Sequence, residues 1–520
     1  MILVTAAQMQ AMDQKTINEF GIPGLVLMEN AARGALEMLV DHFDPIEEFR
    51  VGILAGRGNN GGDGFVIGRY LMEMGVSVSF ILLSRRDRVA GDARINMELV
   101  EKLLPEHPES EFIEVPDADA FEGYRERILD HDLFVDAIFG TGLNSDVRGF
   151  FRDVIMAVNL SGQPVFSVDI PSGINSDTGQ VCGVAIEADA TATFAFAKAG
   201  HILYPGNIHT GDLEIIDIGI PGHIARGEAP HIFLPEAEDI ASVLPPRAFN
   251  SHKGTFGHLM ILAGSPGKTG AAALSANAAM RCGAGLVTLG VPSGLMPVLE
   301  PMIVEPMALG LPQTDAGTLS VKGLDAILDT LRDKQALALG PGLGTEPGTR
   351  ELVRELLAKS EVPLVIDADG LNCLADDPSI LNTAKSPVIL TPHPGEMARL
   401  AGISPAEVQA DRMTVGLSFA EKHEVILVLK GAQTLVCCPD GEVFICPTGN
   451  PGMASGGMGD TLTGIIAGLL AQGLSPDTAA LAGTFIHGLC GDILAEETPM
   501  GFLASDIVAV IPTALAELAR

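Results

Sequence analysis

The sequence predicts an α/β protein made of two strand-and-helix series, the first of them a Rossmann-like three-layer domain. Three observations carry that expectation. Short, almost wholly apolar strands recur between helical periods, as in a parallel sheet covered on both faces. Glycine-rich loops lie between a strand and a helix at 56–64 and again ahead of a helix at 449–464. Between the two series the pattern loses its rhythm through HIARGEAPHIFLPEAEDIASVLPPRAFN, which marks a boundary.

Two helical periods open the chain, Ala6 to Phe20 and Pro23 to His42, the second with Pro in its first turn. The strand RVGILAG (50–56) enters the first glycine-rich loop, and further strands read at 77–83, 132–140, 164–170, 192–197 and 213–219. Residues 1–222 form the first domain, 223–240 a linker and 241–520 the second domain. HLMILAG (258–264) begins the second series, continued by LVTLGVP, QALALGPGLG, PLVIDADG, SPVILTPHPGE and EVILVLKG. A hairpin, TLVCCPDGEVFICP, turns on Asp440-Gly441 before the last glycine-rich loop and the closing helices.

Composition narrows the function. Hydrophobic residues make up 47% of the 520, enough for a full core in either half and too many for disorder. The net charge of -34, with no basic block anywhere, argues against a surface that tracks phosphates, so no nucleic-acid partner is expected. Seven cysteines, an odd number without a CxxC pair, indicate neither zinc nor a disulfide framework but reduced apolar fillers. Cys437 and Cys438, adjacent in a strand, should point to opposite faces. The N-terminus lacks a basic region followed by an apolar core, and the apolar stretch near Thr461 to Leu474 is glycine-broken and too short to span a bilayer. A cytoplasmic enzyme without a membrane partner, assembling as a homo-oligomer, is the expectation.

The loop GRGNNGGDG (56–64) sets Gly56, Gly58 and Gly61 in GxGxxG spacing, where backbone amides and a helix N-terminus can approach a pyrophosphate. A dehydrogenase would carry a ribose-reading carboxylate at the end of the next strand. Arg85 and Arg86 stand there instead, either to accept a 2′-phosphate or as a solvated strand end. The dehydrogenase reading also leaves over a density of side-chain oxygens: Asn59, Asn60 and Asp63 in the loop, Asp136 in VDAIFGTGLNSD, Asp169 and Ser172 in VDIPSG. These strand ends share one sheet edge, and carboxylate, amide and hydroxyl together suit a hard cation as well as a sugar hydroxyl. For each residue singly, capping a turn or helix is the alternative.

In that order, NNGGDG, DAIFGTGLN and VDIPSG resemble the NAD(P)H-hydrate epimerases over residues 1–222. The resemblance implies a potassium ion held by Asn60, Asp136 and Ser172. It implies a hydrate lined by Asn59, Asn60, Gly61, Gly62 and Asp63 and by the run Gly140, Thr141, Gly142, Leu143, Asn144, Ser145 and Asp146, with Asp169 nearest the reacting ring. Some relatives carry a lysine just after the FG turn. This chain reads GTGLNSD, which leaves Asp169 as the clear acid/base candidate.

In the second series GSPGKTG (264–270) fails as a Walker loop, because Leu262 stands where that loop needs glycine, and it reads as a turn opening a helix at Ala271. GNPGMASGGMGDTLTG (449–464) is more telling. Its amides and the helix start at Gly456 to Asp460 make an anion hole for a transferring phosphoryl group, with Asp460 placed to take a proton from an attacking hydroxyl. A capped helix start is the plain alternative. Together with HKGTFGHLMILAGS, GPGLG, DADGLN, TPHPGE and KGAQT, this segment resembles the ribokinase-like ADP/ATP-dependent NAD(P)H-hydrate dehydratases from about residue 240 onward. That implies nucleotide contacts from Lys430, Gly431, Ala432, Gln433, Thr434 and Gly459, and hydrate contacts from Ala271, Gly342, His393 and Asp460. His393, between two prolines, could equally be a rigid turn residue, and Asp367 and Asp369 could hold the magnesium that accompanies ADP or ATP or cap the next helix. The implied substrates are the hydrates NADHX and NADPHX. Rival readings are a vitamin or sugar kinase with an accessory domain, and a first domain that binds without catalysing.

Overall fold

The computed structural model describes residues 1–519 apart from position 229. The chain folds as two compact units, Ile2–Ile232 and Phe233–Arg520, the latter joined by Met1. The stretch expected to be a linker carries helices of its own, Gly222–Gly227 and Ala237–Val243.

The first unit is built on β1 (Arg50–Ala55), β2 (Ser77–Leu82), β3 (Glu111–Glu114), β4 (Leu133–Ala137), β5 (Val165–Val168), β6 (Ala190–Phe194) and β7 (Asp212–Ile216). All pair in parallel, in the order β3-β2-β1-β4-β5-β6-β7. The order reverses between β1 and β4, and the ligand crevice of such a sheet opens at that switch point. Helix Asn59–Glu73 lies close on the sheet because its glycines permit it: a Cβ on Gly68 would stand 2.3 Å from Phe80 Cε1. Phe65, Phe80 and Phe166 are wholly buried there, each stabilising by about 1.5–3 kcal/mol relative to exposure.

Two expectations shift. The 192–197 strand stops at Phe194, because Ala195 takes φ +59°, and the chain resumes as the two-residue strand Ala197–Lys198 paired with Ile2–Val4. The opening helix ends at Lys15 and unwinds through a wider turn, Thr16–Phe20, that closes on Gly21. The edge strand β3 escaped the pattern because it is half exposed and carries glutamate at both ends.

The second unit is built on β8 (His258–Leu262), β9 (Leu286–Pro292), β10 (Met307–Leu311), β11 (Ala336–Leu339), β12 (Leu364–Ile366), β13 (Val388–Leu390), β14 (Ile426–Leu429), β15 (Leu435–Cys437) and β16 (Val443–Ile445). Its order is β10-β9-β8-β11-β12-β13-β14-β15-β16, parallel as far as β14 and antiparallel through the hairpin. Its switch point lies between β8 and β11. Helices Thr269–Arg281 and Met458–Ala471 cover one face, and a Cβ on Gly464 would stand 2.3 Å from Ser275 O, so the two helices touch through backbone.

Six of the seven cysteines are buried, Cys437 and Cys438 among them, and all seven are free thiols. Burial pushes both of those, and Cys490, up to about 12.

Candidate active sites

At the first switch point the loops after β1 and β4 meet at van der Waals limits. A Cβ on Gly56 would stand 2.0 Å from Ile138 O, and one on Gly61 2.0 Å from Gly56 O, so neither position admits a side chain. This contact brings Asn60 beside the strand ends. Asn60 Nδ2 donates to Phe139 O (3.0 Å), while Asn60 Oδ1 is buried without a donor among the described residues. Asp136 is wholly buried and accepts four hydrogen bonds: Ser172 N (2.7 Å), Ser172 Oγ (2.6 Å), Ser167 Oγ (2.9 Å) and Ile138 N (3.3 Å). Burial raises its pKa and these donors pull it back, leaving it above the usual value.

Asp169 sits a few residues on, with its backbone in the left-handed region at φ +67°. His201 holds it there: Nε2–H donates to Asp169 O (2.9 Å) while Nδ1 accepts from Lys198 N (3.0 Å). Those partners require neutral imidazole, and burial together with the Lys198 charge keeps His201 down at about 4. Lys198 Nζ donates to Asp169 Oδ1 (2.6 Å) and Thr193 Oγ1 (2.9 Å). Burial opposes ionisation of Asp169, but the Lys198 ammonium holds its carboxyl below the ordinary value.

Lys198 thus stands directly beside the acid/base candidate Asp169. A lysine is present, supplied from the short strand after β6 rather than from the FG turn. A single lysine closing the apolar run FAFAKAG at the same sheet edge was the available signal. Two further carboxylates share this charge cluster. Burial, then the charges of Asp169 and Asp13, raises Asp63 well above its usual value, and burial raises Asp13 to about 6.

The other expected lining residues divide. Gly140 lies against Asn60 and Asp169, a Cβ there being 3.5 Å from both side chains. Thr141 and Leu143 are half-buried, while Asn59, Gly142, Asn144, Ser145 and Asp146 form an exposed rim, where Asp146 pairs with Arg148 (3.2 Å). Gly62 faces away, a Cβ there meeting Met28 at 2.7 Å. Arg86 is neutralised by Glu101 (2.8 Å) and Glu114 (3.4 Å), and Arg85 pairs with Asp87 (3.3 Å), which makes this pair a solvated strand end.

In the second unit the loops after β8 and β11 are tied by Gly264 N to Pro341 O (2.9 Å) and Ser265 Oγ to Gly342 O (2.7 Å). Ala271 and Gly342 thereby adjoin, a Cβ on Gly342 being 3.3 Å from Ala271 Cβ. Lys268 Nζ donates to Asp369 (2.8 Å), which also accepts from Gly344 N (2.9 Å).

Helix Met458–Ala471 begins beside them, with Gly457 at φ +95° and Asp460 in its first turn. Lys430 Nζ lies beneath that start, 3.1 Å from where a Cβ on Gly459 would be. It donates to Asp367 Oδ1 (2.8 Å) and stands 3.9 Å from Glu396 Oε2. Thr463 Oγ1 donates to the other oxygen of Asp367 (2.9 Å), so that carboxylate fixes Lys430 rather than capping a helix. Burial, then the nearby Asp367 charge, raises Asp460 to about 6, while Lys430 opposes the rise. His393 is in part the rigid turn residue anticipated: its Nδ1 caps helix Pro394–Ala401 by accepting from Gly395 N (3.0 Å), although its side chain is half exposed. His487, unanticipated, donates to Thr461 Oγ1 (3.0 Å) and braces the helix start. Among the described residues no group of three or more His, Cys, Asp and Glu is arranged to hold a metal ion.

Comparison with known proteins adds independent findings. A family model described as NAD(P)H-hydrate dehydratase matches residues 259–513, and one described as YjeF-related protein N-terminus matches 24–200. The chain is 43% identical over 520 residues to a bifunctional NAD(P)H-hydrate repair enzyme Nnr of Moorella thermoacetica, covering 100% of this chain and 97% of that one. It is 32% identical over 500 residues to the enzyme of that name in Escherichia coli, with coverages of 96% and 91%. A Bacillus subtilis ADP/ATP-dependent NAD(P)H-hydrate dehydratase, co-crystallised with ATP/Mg2+, is 32% identical and superimposes with a TM-score of 0.48, over 55% of this chain and 98% of that one.

Proposed function

Since the chain belongs to the family of bifunctional NAD(P)H-hydrate repair enzymes, we propose that its first unit interconverts the R and S hydrates and its second dehydrates the S form at the expense of ADP or ATP. The observation that supports the division most directly is the presence of two separate charged clusters, Asp169 with Lys198 in one unit and, in the other, Lys430 paired with Asp367 close to Asp460.

In the first unit the hydrate lies over Gly140, with the Asp169–Lys198 pair able to give a proton to the ring hydroxyl as its C–O bond breaks and to take one back from the water that adds to the opposite face. The buried, unmatched Asn60 Oδ1 fits a monovalent cation, with Asp136 and Ser172 completing an oxygen set. Potassium there would supply positive charge that offsets the excess of carboxylates. In the second unit the ring hydroxyl, a poor leaving group, is converted to a phosphate ester and then eliminated. Asp460 takes the hydroxyl proton, the amides of 456–460 face the transferring phosphoryl group, Lys430 stabilises its charge from below, and the loop Lys430–Thr434 holds the nucleotide. Magnesium enters with the nucleotide phosphates. The enzyme works in the cytoplasm as a homo-oligomer.

Mixed epimers of NADHX, followed by the return of NADH absorbance, test the whole. Full conversion that needs ADP or ATP is expected, and potassium replaced by lithium should slow only the epimer that must first be inverted. A stable phosphorylated product without NADH would instead make the second unit a kinase.

A further inference from the structure

The loop Lys430–Thr434, which holds the nucleotide in this reading, is itself held by an arginine from another helix. Arg412 opens helix Arg412–His423. Its guanidinium donates through Nη2 to Leu429 O (3.0 Å) and through Nη1 to Ala432 O, gripping both shoulders of the loop. The loop between is conformationally demanding: Gly431 has φ +153° and Gln433 φ +47°. A Cβ on Gly431 would stand 2.9 Å from Nη2, so the guanidinium also fills the space against which the loop turns.

This is a costly place for a cation. The first turn of a helix disfavours positive charge. No carboxylate pairs with Arg412 among the described residues, its neighbour Asp411 being occupied in capping Thr414 N (3.0 Å), and Nε is buried without an acceptor. Burial pulls the guanidinium down to about 10. An uncompensated arginine in a chain of net charge -34 calls for a ligand of opposite sign.

We infer that Arg412 is a positioning residue for the nucleotide: it fixes the 429–434 loop in its binding shape, and its unneutralised charge favours the polyanionic nucleoside di- or triphosphate over neutral ligands. The inference rests on the second unit being nucleotide-dependent, so wild-type protein that dehydrates without nucleotide, or not at all, refutes that reading first. Arg412→Gln should raise KM for ADP and ATP roughly tenfold or more, the loss expected for charged hydrogen bonds, with kcat at saturating nucleotide within about twofold and KM for the hydrate unchanged. Arg412→Lys keeps the charge but cannot span two carbonyls, so it should recover part of the affinity and restore the salt sensitivity of nucleotide binding. Unchanged nucleotide KM in the glutamine variant overturns the proposal. So does a fall in kcat with KM unmoved, or equal loss of nucleotide and hydrate affinity in both variants with a lowered melting temperature, which would mark a purely structural residue.

Discussion

Asp460 and Asp169 give the sharpest tests at the scale of single residues. Asp460→Asn should lose about 10²- to 10⁴-fold in nucleotide-dependent dehydration, the usual range for a positioned acid/base, while epimer interconversion stays near normal. Asp169→Asn should do the converse, converting one epimer quickly and then slowing to the spontaneous rate. Loss of both activities in one folded variant would sink the assignment of separate sites. A second test uses the raised pKa. Asp460 acts as a base only when ionised, so kcat/KM for dehydration should fall as pH drops through about 6. Lys430 opposes the rise in Asp460, so Lys430→Met should move that acid limb upward; a limb that stays put means Asp460 is not the group titrating. Asp169 and Asp460 were legible in sequence because each lies within an oxygen- or glycine-rich motif. The ion pairs around them were not, and Lys198 was missed altogether. Lys198 reaches Asp169 across 29 residues and Lys430 reaches Asp367 across 63, and only the parallel sheet, which brings strand ends to one edge, makes them neighbours.

At the scale of elements, both sites depend on a glycine-dense helix start, pressed against a neighbouring backbone in the first unit and against side chains in the second. Gly61→Ala would force a methyl to 2.0 Å from a carbonyl oxygen, so we expect a loss of at least about 1–3 kcal/mol of stability and of epimerisation, with dehydration intact. Gly459→Ala meets Lys430 Nζ at 3.1 Å, the end of a side chain that can give, so dehydration should fall while the melting temperature holds. Thermal melts of both variants beside the two assays would separate these outcomes. Strands buried on both faces and glycine-rich helix starts were readable because their residue types are dictated by close packing. The half-exposed edge strand Glu111–Glu114 and the break at Ala195 were not, since exposure erases the apolar run and a single left-handed residue leaves no pattern around it.

For the whole molecule, the order in which strands pair matters more than any single motif. In each sheet the strand order reverses once, and each candidate site stands near that reversal, which is why a reading of strand ends led to both places while missing Lys198, which the short strand Ala197–Lys198 delivers. The boundary was legible as lost rhythm, but not that the chain continues through it as short helices, whose six- and seven-residue lengths are below what periodicity can register. The buried thiols have a consequence of another kind. Attack by an electrophile or a peroxide needs an exposed thiolate, and here burial raises the pKa of every cysteine, Cys182 alone being half-exposed. Ellman's reagent should therefore label about one thiol in the native protein and all seven after denaturation, with both activities surviving the native treatment. An enzyme of this make should therefore keep both activities under thiol-directed reagents that silence thiol-dependent catalysts.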